Sequence, residues 1–463
     1  MSFYALMQRI LPSVKDPARV PAIKQKLIWT GIVLAMFFIL GTIKLIGVAP
    51  EALLQLEYFQ MIMASQLGTL ISLGIGPIVL SSIILQLLVG VKLINLNFSD
   101  PNDRAKFSLL QKIFAIVLSV VEAVVAVSVG MLVPLPGMAL FVVIQVALGS
   151  IVLLYLDEVV SKYGIGSGIG LFIAAGVSQA ILWRIFSLPS VAAGTGGLLF
   201  MAVEFLKTGA MIQLLSSVLL PILVTFLVFF IVVYVEGMHV NIPLTVGRSG
   251  MGAKYPVKLL YVSNMPVILA ATLFANVALF VNLAKGSFLE NIMFKVAEFL
   301  TPQYGLLEST ILGGATFGMW GQALIYMVIF VAACVLFGKF WVQVGGQNSE
   351  AVAKQLQSSG MSIPGFRRDE RVLTTVLKRY IPVITILGSI FVGLLAFLSD
   401  LTGAIGSGIG ILLTVGIVYR FYEQLAKDQM FESSSFMKQL AGKKWRGKLI
   451  CLKLHYWIYG LIW

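Results

Sequence analysis

Charged residues are so sparse in this chain that they divide it into long uncharged stretches, and those stretches decide what it can fold into. The uncharged windows are 27–43, 58–91, 123–156, 163–183, 185–203, 208–235, 259–284, 309–338, 380–399 and 401–419. A membrane-crossing helix needs about 17–25 mostly apolar residues, so nearly every window is span-length. Only 11% of the 463 residues are charged and 59% are apolar, against about 25% charged in a soluble domain. So few charges cannot coat a water-facing surface, which excludes a soluble enzyme.

The window 123–156 is too long for one helix. With the apolar residues before Glu122 it holds two, at 110–132 and 137–155, parted by Pro134-Leu135-Pro136-Gly137. The window 185–203 is broken by Ser, Pro and Gly and reads as a loop or interfacial helix. Ten spans remain. An even count puts both termini on one side, and 28 of the 33 Lys and Arg fall in the termini and the 2/3, 4/5, 6/7 and 8/9 loops. By the positive-inside rule that side is cytoplasmic. The first apolar run is span-length with no small-residue cleavage site after it, so no cleavable signal is expected.

Ile-Gly-Ser-Gly-Ile-Gly occurs twice, at 165–170 and 405–410. One copy opens span 5 from the cytoplasm and the other opens span 10 from outside, as an inverted repeat of five spans would. Neither copy has the Lys-Ser/Thr ending of a phosphate loop. Span 2 is also unusual, since 58–91 contains Gly68, Gly74, Gly76 and Pro77. It parses as a short amphipathic segment at Glu57–Gly68, a break, and a span from about 75 to 90. Broken helices at membrane depth survive only where protein or a cavity surrounds them, which points to a channel or transporter.

The stretches GTLISLGIGPIV (68–79), YLDEVVSKYGIGSGIGLFIAAGVSQ (155–179) and KYPVKLLYVSNMPVILAATLFAN (254–276) resemble the SecY family of protein-conducting channels. So do GFRRDERVLTTVLKRYIP (365–382) and VYRFYEQL (418–425), and the likeness runs over about residues 20–430, of the archaeal and eukaryotic type. The resemblance implies an all-α membrane protein: ten transmembrane helices in two inverted five-helix halves, with a broken second helix forming a plug. In that frame residues 1–27 are a cytoplasmic segment, 28–186 and 187–424 are the two halves, 237–258 and 344–380 are cytoplasmic loops, and 425–463 is a basic tail. The tail's end, KKWRGKLICLKLHYWIYGLIW (443–463), is basic, aromatic and apolar, and unlike the family.

The same resemblance implies a central pore subunit of the Sec translocase, passing unfolded secretory polypeptides and releasing apolar segments into lipid. Its pore ring falls on Ile75, Val79, Ile169, Ile173, Ile268 and Leu413. Ile173 and Leu413 stand at the same offset from the two hexapeptides. A ring of branched apolar side chains dewets and bars ions while offering a passing chain no fixed polar partner. The plug covers about Tyr58–Leu67, including Met61, Met63 and Gln66, where relatives commonly carry a basic residue.

Glu122, a costly carboxyl in mid-span 3, is placed by the resemblance at a lateral gate between spans 2–3 and 7–8, with Asn276 and Gln86 as expected polar neighbours. Arg248, Lys254 and Lys258 in the 6/7 loop, and Arg367, Arg368, Arg371, Lys378 and Arg379 in the 8/9 loop, would dock the ribosome, Arg matching RNA phosphate as a planar fork. Implied partners are a SecE/gamma-type small subunit, a beta-type small subunit, the ribosome, the signal recognition particle receptor pathway, signal sequences and nascent polypeptides, and membrane lipid. The implied location is the plasma membrane, crossed many times.

Two other functions compete. A secondary transporter needs a polar midplane site, and the spans offer little beyond Glu122. An intramembrane protease needs a nucleophile with its base, or an aspartate pair, within the spans. His239 and His455 lie outside them, and Asp400 has no acidic companion. With Cys334 and Cys451 the only cysteines, no metal site, cofactor or catalytic group is expected.

Overall fold

The computed structural model describes residues 11–17, 21–48, 64–90, 93–94, 96, 101–188, 196–246, 251–261, 265–281, 290–358, 361–362 and 370–440. Ten helices match the ten expected spans: α1 (Ile23–Thr42), α2 (Gly76–Gly90), α3 (Pro101–Ser128), α4 (Ala139–Tyr163) and α5 (Gly168–Phe186) in the first half. The second half holds α6 (Leu198–Thr208), a short helix outside that set, then α7 (Met211–Glu236), which contains a π-helical turn at Leu214–Leu219. After it come α8 (Met265–Val281), α9 (Glu290–Leu300), α10 (Leu306–Ile311), α11 (Phe317–Val344), α12 (Ser349–Ser358), α13 (Glu370–Leu401) and α14 (Gly408–Leu440). Of the ten, eight are long and apolar enough to cross a membrane alone; α2 and α8 are shorter.

Several helices outrun their apolar windows. α3 begins at Pro101, α13 at Glu370, and α14 continues to Leu440. A helix keeps its hydrogen-bond ladder on entering water, so charges end the membrane-embedded part and not the helix. The window 185–203 divides: α5 runs to Phe186, and α6 begins at Leu198 and ends at Gly209, whose φ is +71°.

The 15 residues of α2 rise only about 22 Å, short of a hydrocarbon core of about 30 Å. The backbone before it, residues 64–75, turns instead of coiling, with positive φ at Ala64, Gly68 and Gly74. Its polar groups are satisfied by protein. Leu45 N donates to Gly68 O at 2.9 Å and Leu70 N to Ile43 O at 3.1 Å, while Thr69 Oγ1 donates to Gln66 O at 2.7 Å. Gly149 of α4 lies flush against the Leu70 carbonyl, leaving no room for a Cβ. Pro77, expected to break span 2, is the second residue of α2, where a missing N–H costs nothing. The expected amphipathic stretch from Glu57 lies outside the described residues up to position 63.

The two hexapeptides adopt related structures. Gly166 and Gly406 both have positive φ, +71° and +82°. Ser167 Oγ accepts from Gly170 N at 3.2 Å, and Ser407 Oγ from Gly410 N at 3.0 Å, so each serine caps its helix. An aspartate from the preceding helix adds a second acceptor. Asp157 Oδ1 takes Ile169 N at 2.9 Å, and Asp400 Oδ1 takes Gly408 N at 2.7 Å. The two helices then pack reciprocally. A Cβ on Gly170 would meet Ile417 at 3.5 Å, and one on Gly410 would meet Val177 at 3.1 Å; Gly166 faces Phe421 and Gly406 faces Ile181. Both glycine packing pairs map onto their counterparts by a shift of 240 residues, the signature of an isologous contact folded into one chain.

The 6/7 segment, read from sequence as a loop, is a hairpin. β1 (His239–Val246) pairs antiparallel with β2 (Met251–Lys258), from His239 opposite Lys258 to Val246 opposite Met251. β3 (Met361–Ser362), from the 8/9 segment, joins the other edge of β1 at Thr245 and Val246. The two basic segments therefore form one sheet.

Gly149→Ala should cost about 1–3 kcal/mol by overpacking against backbone that cannot rotate away. Gly31→Ala, with open space around it, should leave the stability of α1 unchanged or raised. Thermal melts of the detergent-solubilised variants check both, and equal melting temperatures would disprove the tight seat for residues 64–75.

Candidate functional site

The six ring residues come from four elements. Ile75 precedes α2, and Val79 follows one turn later, its N–H donating to Ile75 O at 3.0 Å. Ile169 and Ile173 lie one turn apart on α5, Ile268 on α8 and Leu413 on α14. Five are buried in one apolar cluster, and Ile169, partly buried, packs against it. α2 contacts α8, α8 contacts α14, and α14 contacts α5, so both halves contribute. Ile409 was not expected. It is fully buried and stands in the second repeat where Ile169 stands in the first, a match the hexapeptide alignment could have shown.

Below the ring residues, α2 and α3 of one half meet α8 and α11 of the other: α2 contacts both, and α3 contacts α8. Glu122, Gln86 and Asn276 are all buried on these helices. No hydrogen bond joins them. Gln86 Nε2 donates to Ser82 Oγ at 2.9 Å, and Asn276 Nδ2 to Thr272 O at 2.9 Å, each one turn back on its own helix. Both carboxylate oxygens of Glu122 lack a hydrogen-bond partner among the described residues. Each amide places one of its two N–H donors on its own helix.

Tyr58, Met61 and Met63 lie outside the described residues. Gln66 is described: its Nε2 donates to Gln179 Oε1 of α5 at 2.9 Å, and its amide rests on Gly41 of α1. Beside it, Ala64 lies against Gly176 of α5. Gln179, missed in the sequence, holds this segment to the helix that carries Ile169 and Ile173.

Among the basic residues, Arg248, Arg367 and Arg368 lie outside the described residues, and Lys254 sits on β2 opposite Pro243. Arg371 and Arg379 are exposed on α13. Lys378 pairs with Glu350 of α12 at 3.0 Å, both side chains more than half exposed, a geometry of little energetic weight. Lys258 is engaged differently. It forms an ion pair with Glu423 of α14 and lies 5.2 Å from the Tyr419 ring centre, so the hairpin base is tied to the helix bearing Leu413. Nearby, burial pushes the Tyr261 phenol up, keeping it protonated to donate to Gln347 O at 2.8 Å. Among the described residues no group of three or more His, Cys, Asp or Glu could hold a metal.

These features define a polytopic helical membrane protein of two inverted halves, meeting at a buried apolar cluster with a broken helix beside it. The SecY family model matches residues 69–422. A protein translocase subunit SecY of Methanococcus vannielii is 44% identical, over 94% of this chain and 98% of that protein. A solved structure described as a protein conducting channel aligns with TM-score 0.80 and 42% identity, over 96% of this chain and 100% of its own. Sec61 in the canine ribosome–channel complex from the endoplasmic reticulum aligns with TM-score 0.76 and 41% identity, over 96% and 100%. The chain belongs to the SecY family.

A double-mutant cycle on Lys258→Ala and Glu423→Ala, read by thermal melts, should give a favourable coupling of about 0.5–1 kcal/mol, the scale of a partly exposed pair. Zero coupling would mean the hairpin base is not held by this ion pair.

Proposed function

We propose that this chain is the pore-forming subunit of a protein translocase, conducting unfolded secretory polypeptides across the membrane and releasing transmembrane segments sideways. One observation carries the reading: an apolar cluster containing Ile75, Val79, Ile173, Ile268 and Leu413 is assembled from both inverted halves, in a chain matched along nearly its whole length by translocase subunits. Secondary transport is disfavoured, since the place where a transporter needs convergent polar ligands is filled by aliphatic side chains.

The mechanism follows from the side chains. A constriction of branched hydrocarbons cannot solvate an ion, so it holds a dry barrier when nothing fills it. An extended polypeptide wets the constriction as it enters, and the ring offers it no hydrogen bond that would arrest one sequence over another. The segment ending at Gln66 acts as the plug, held to α5 through Gln179. The contact of α2 and α3 with α8 and α11 acts as the lateral gate, with Glu122, Gln86 and Asn276 lining it. Residues 28–186 and 187–424 move as the two halves.

The strongly basic side is assigned to the cytoplasm, with both termini there and the protein in the plasma membrane. Sec61 in the canine complex is a ribosome-bound relative; by likeness to it, the joined sheet and the exposed Arg371 and Arg379 receive the ribosome. A SecE/gamma-type and a beta-type subunit complete the assembly, and the signal recognition particle receptor pathway delivers nascent chains. The reading assigns no catalytic step, so a partner drives the movement.

Single cysteines replacing Ile75 or Ile173 should crosslink to an arrested, signal-bearing nascent chain in reconstituted vesicles. Absence of crosslinks at both positions would refute the channel reading. Glu122→Gln should alter which signal sequences engage, measured as the hydrophobicity threshold for insertion. An unchanged threshold would remove Glu122 from the gate and leave the channel standing.

A further inference from the structure

A groove of about 750 Å³ runs along the lipid-facing side of α11 and α13, away from the constriction. Its floor forms where the two helices come close: Gly393 of α13 lies against Val331 and Cys334, and Gly338 of α11 against Ser389. Its walls include Val328, Ala332 and Leu336 from α11 and Ile390 and Leu394 from α13. The groove's polar lining is confined to one end, where Lys339 and Gln343 sit exposed on α11. No carboxylate lines it, and Lys339 makes no ion pair among the described residues.

We infer that this groove is a binding site for a single anionic phospholipid of the cytoplasmic leaflet, its phosphate on Lys339 and Gln343 and an acyl chain laid along the apolar walls. The leaflet assignment rests on the orientation proposed above. The groove's length and the single cation at its end select this occupant. Lys339 stands 11 residues beyond Val328, about 17 Å along the helix, which is close to half of a core about 30 Å thick. A lone ammonium at this depth is costly unless it meets an anion or water, and the cytoplasmic leaflet supplies the anion.

The test uses the full-length protein in detergent, delipidated and then titrated with phosphatidylglycerol or phosphatidylcholine, with bound lipid counted by native mass spectrometry. The unaltered protein should retain phosphatidylglycerol in preference to phosphatidylcholine. Lys339→Gln should lower phosphatidylglycerol retention about fivefold, the scale of one basic residue at an anionic surface. Ala332→Phe, which fills the groove from an exposed position, should lower retention of both lipids. Melting temperatures near that of the parent show that the variants are folded. Equal retention of the two lipids, or parental retention by both variants, would overturn the site. So would Ala332→Cys crosslinking to a polypeptide and not to lipid in native membranes. The readout needs no translocating chain, so its failure and that of the Ile75 and Ile173 crosslinks are separable.

Discussion

A backbone amide in hydrocarbon has no water to turn to, and the architecture is organised around a buried stretch where this chain breaks its helical ladder. Residues 64–75 can abandon helix because α1, α4 and α5 surround them. Ile43 and Leu45 exchange hydrogen bonds with Leu70 and Gly68, and Gly149 lets α4 come into contact with the Leu70 carbonyl. A short α2 then starts inside the fold, which places Ile75 and Val79 in the apolar cluster shared by both halves. The burial of those two residues in the cluster is thus a consequence of satisfied backbone elsewhere.

The contact between α5 and α14 plays the matching role for the two halves. Glycines at 166, 170, 406 and 410 let the helices approach until side chains of each fill the other's missing Cβ positions. In lipid there is little hydrophobic drive to join helices, and close packing through small residues supplies the adhesion. The buried Asp157 and Asp400 take up N–H groups where each helix starts. Both helix starts are therefore fixed relative to the preceding span, so the ring residues one turn onward are held at set depths.

Much of this was legible in the sequence. Charge spacing marked the ten helices, and the repeated IGSGIG marked the inverted relation of α5 and α14, because both signals are local and periodic. The hairpin was hidden because Pro243 and Pro256 interrupt its strands and its partner strand comes from residues 361–362, over a hundred positions away. Gln66 with Gln179, and Lys258 with Glu423, were hidden for the same reason: each pairing joins residues more than a hundred apart. Gln86 and Asn276 show what polarity in a span leaves open. A buried amide in a helix can satisfy itself one turn back, so being polar and in a span does not identify a cross-helix partner.

That local satisfaction bears on how a gate can open cheaply. With Gln86 bonded to Ser82 and Asn276 to Thr272, separating α2 from α8 breaks none of the hydrogen bonds these amides donate. Apart from Glu122, Gln86 and Asn276, the surfaces parted are mostly aliphatic and meet lipid as apolar as the protein they leave, so parting them forfeits packing and little hydrophobic free energy. Glu122, with no hydrogen-bonding partner among the described residues, adds a buried polar group that gains from any donor or water an opening admits. An apolar signal segment can replace the lost packing with its own side chains. In the lateral gate proposed above, closure by packing, with no hydrogen bond joining these three side chains among the described residues, would let the hydrophobicity of the entering segment decide whether the gate stays open.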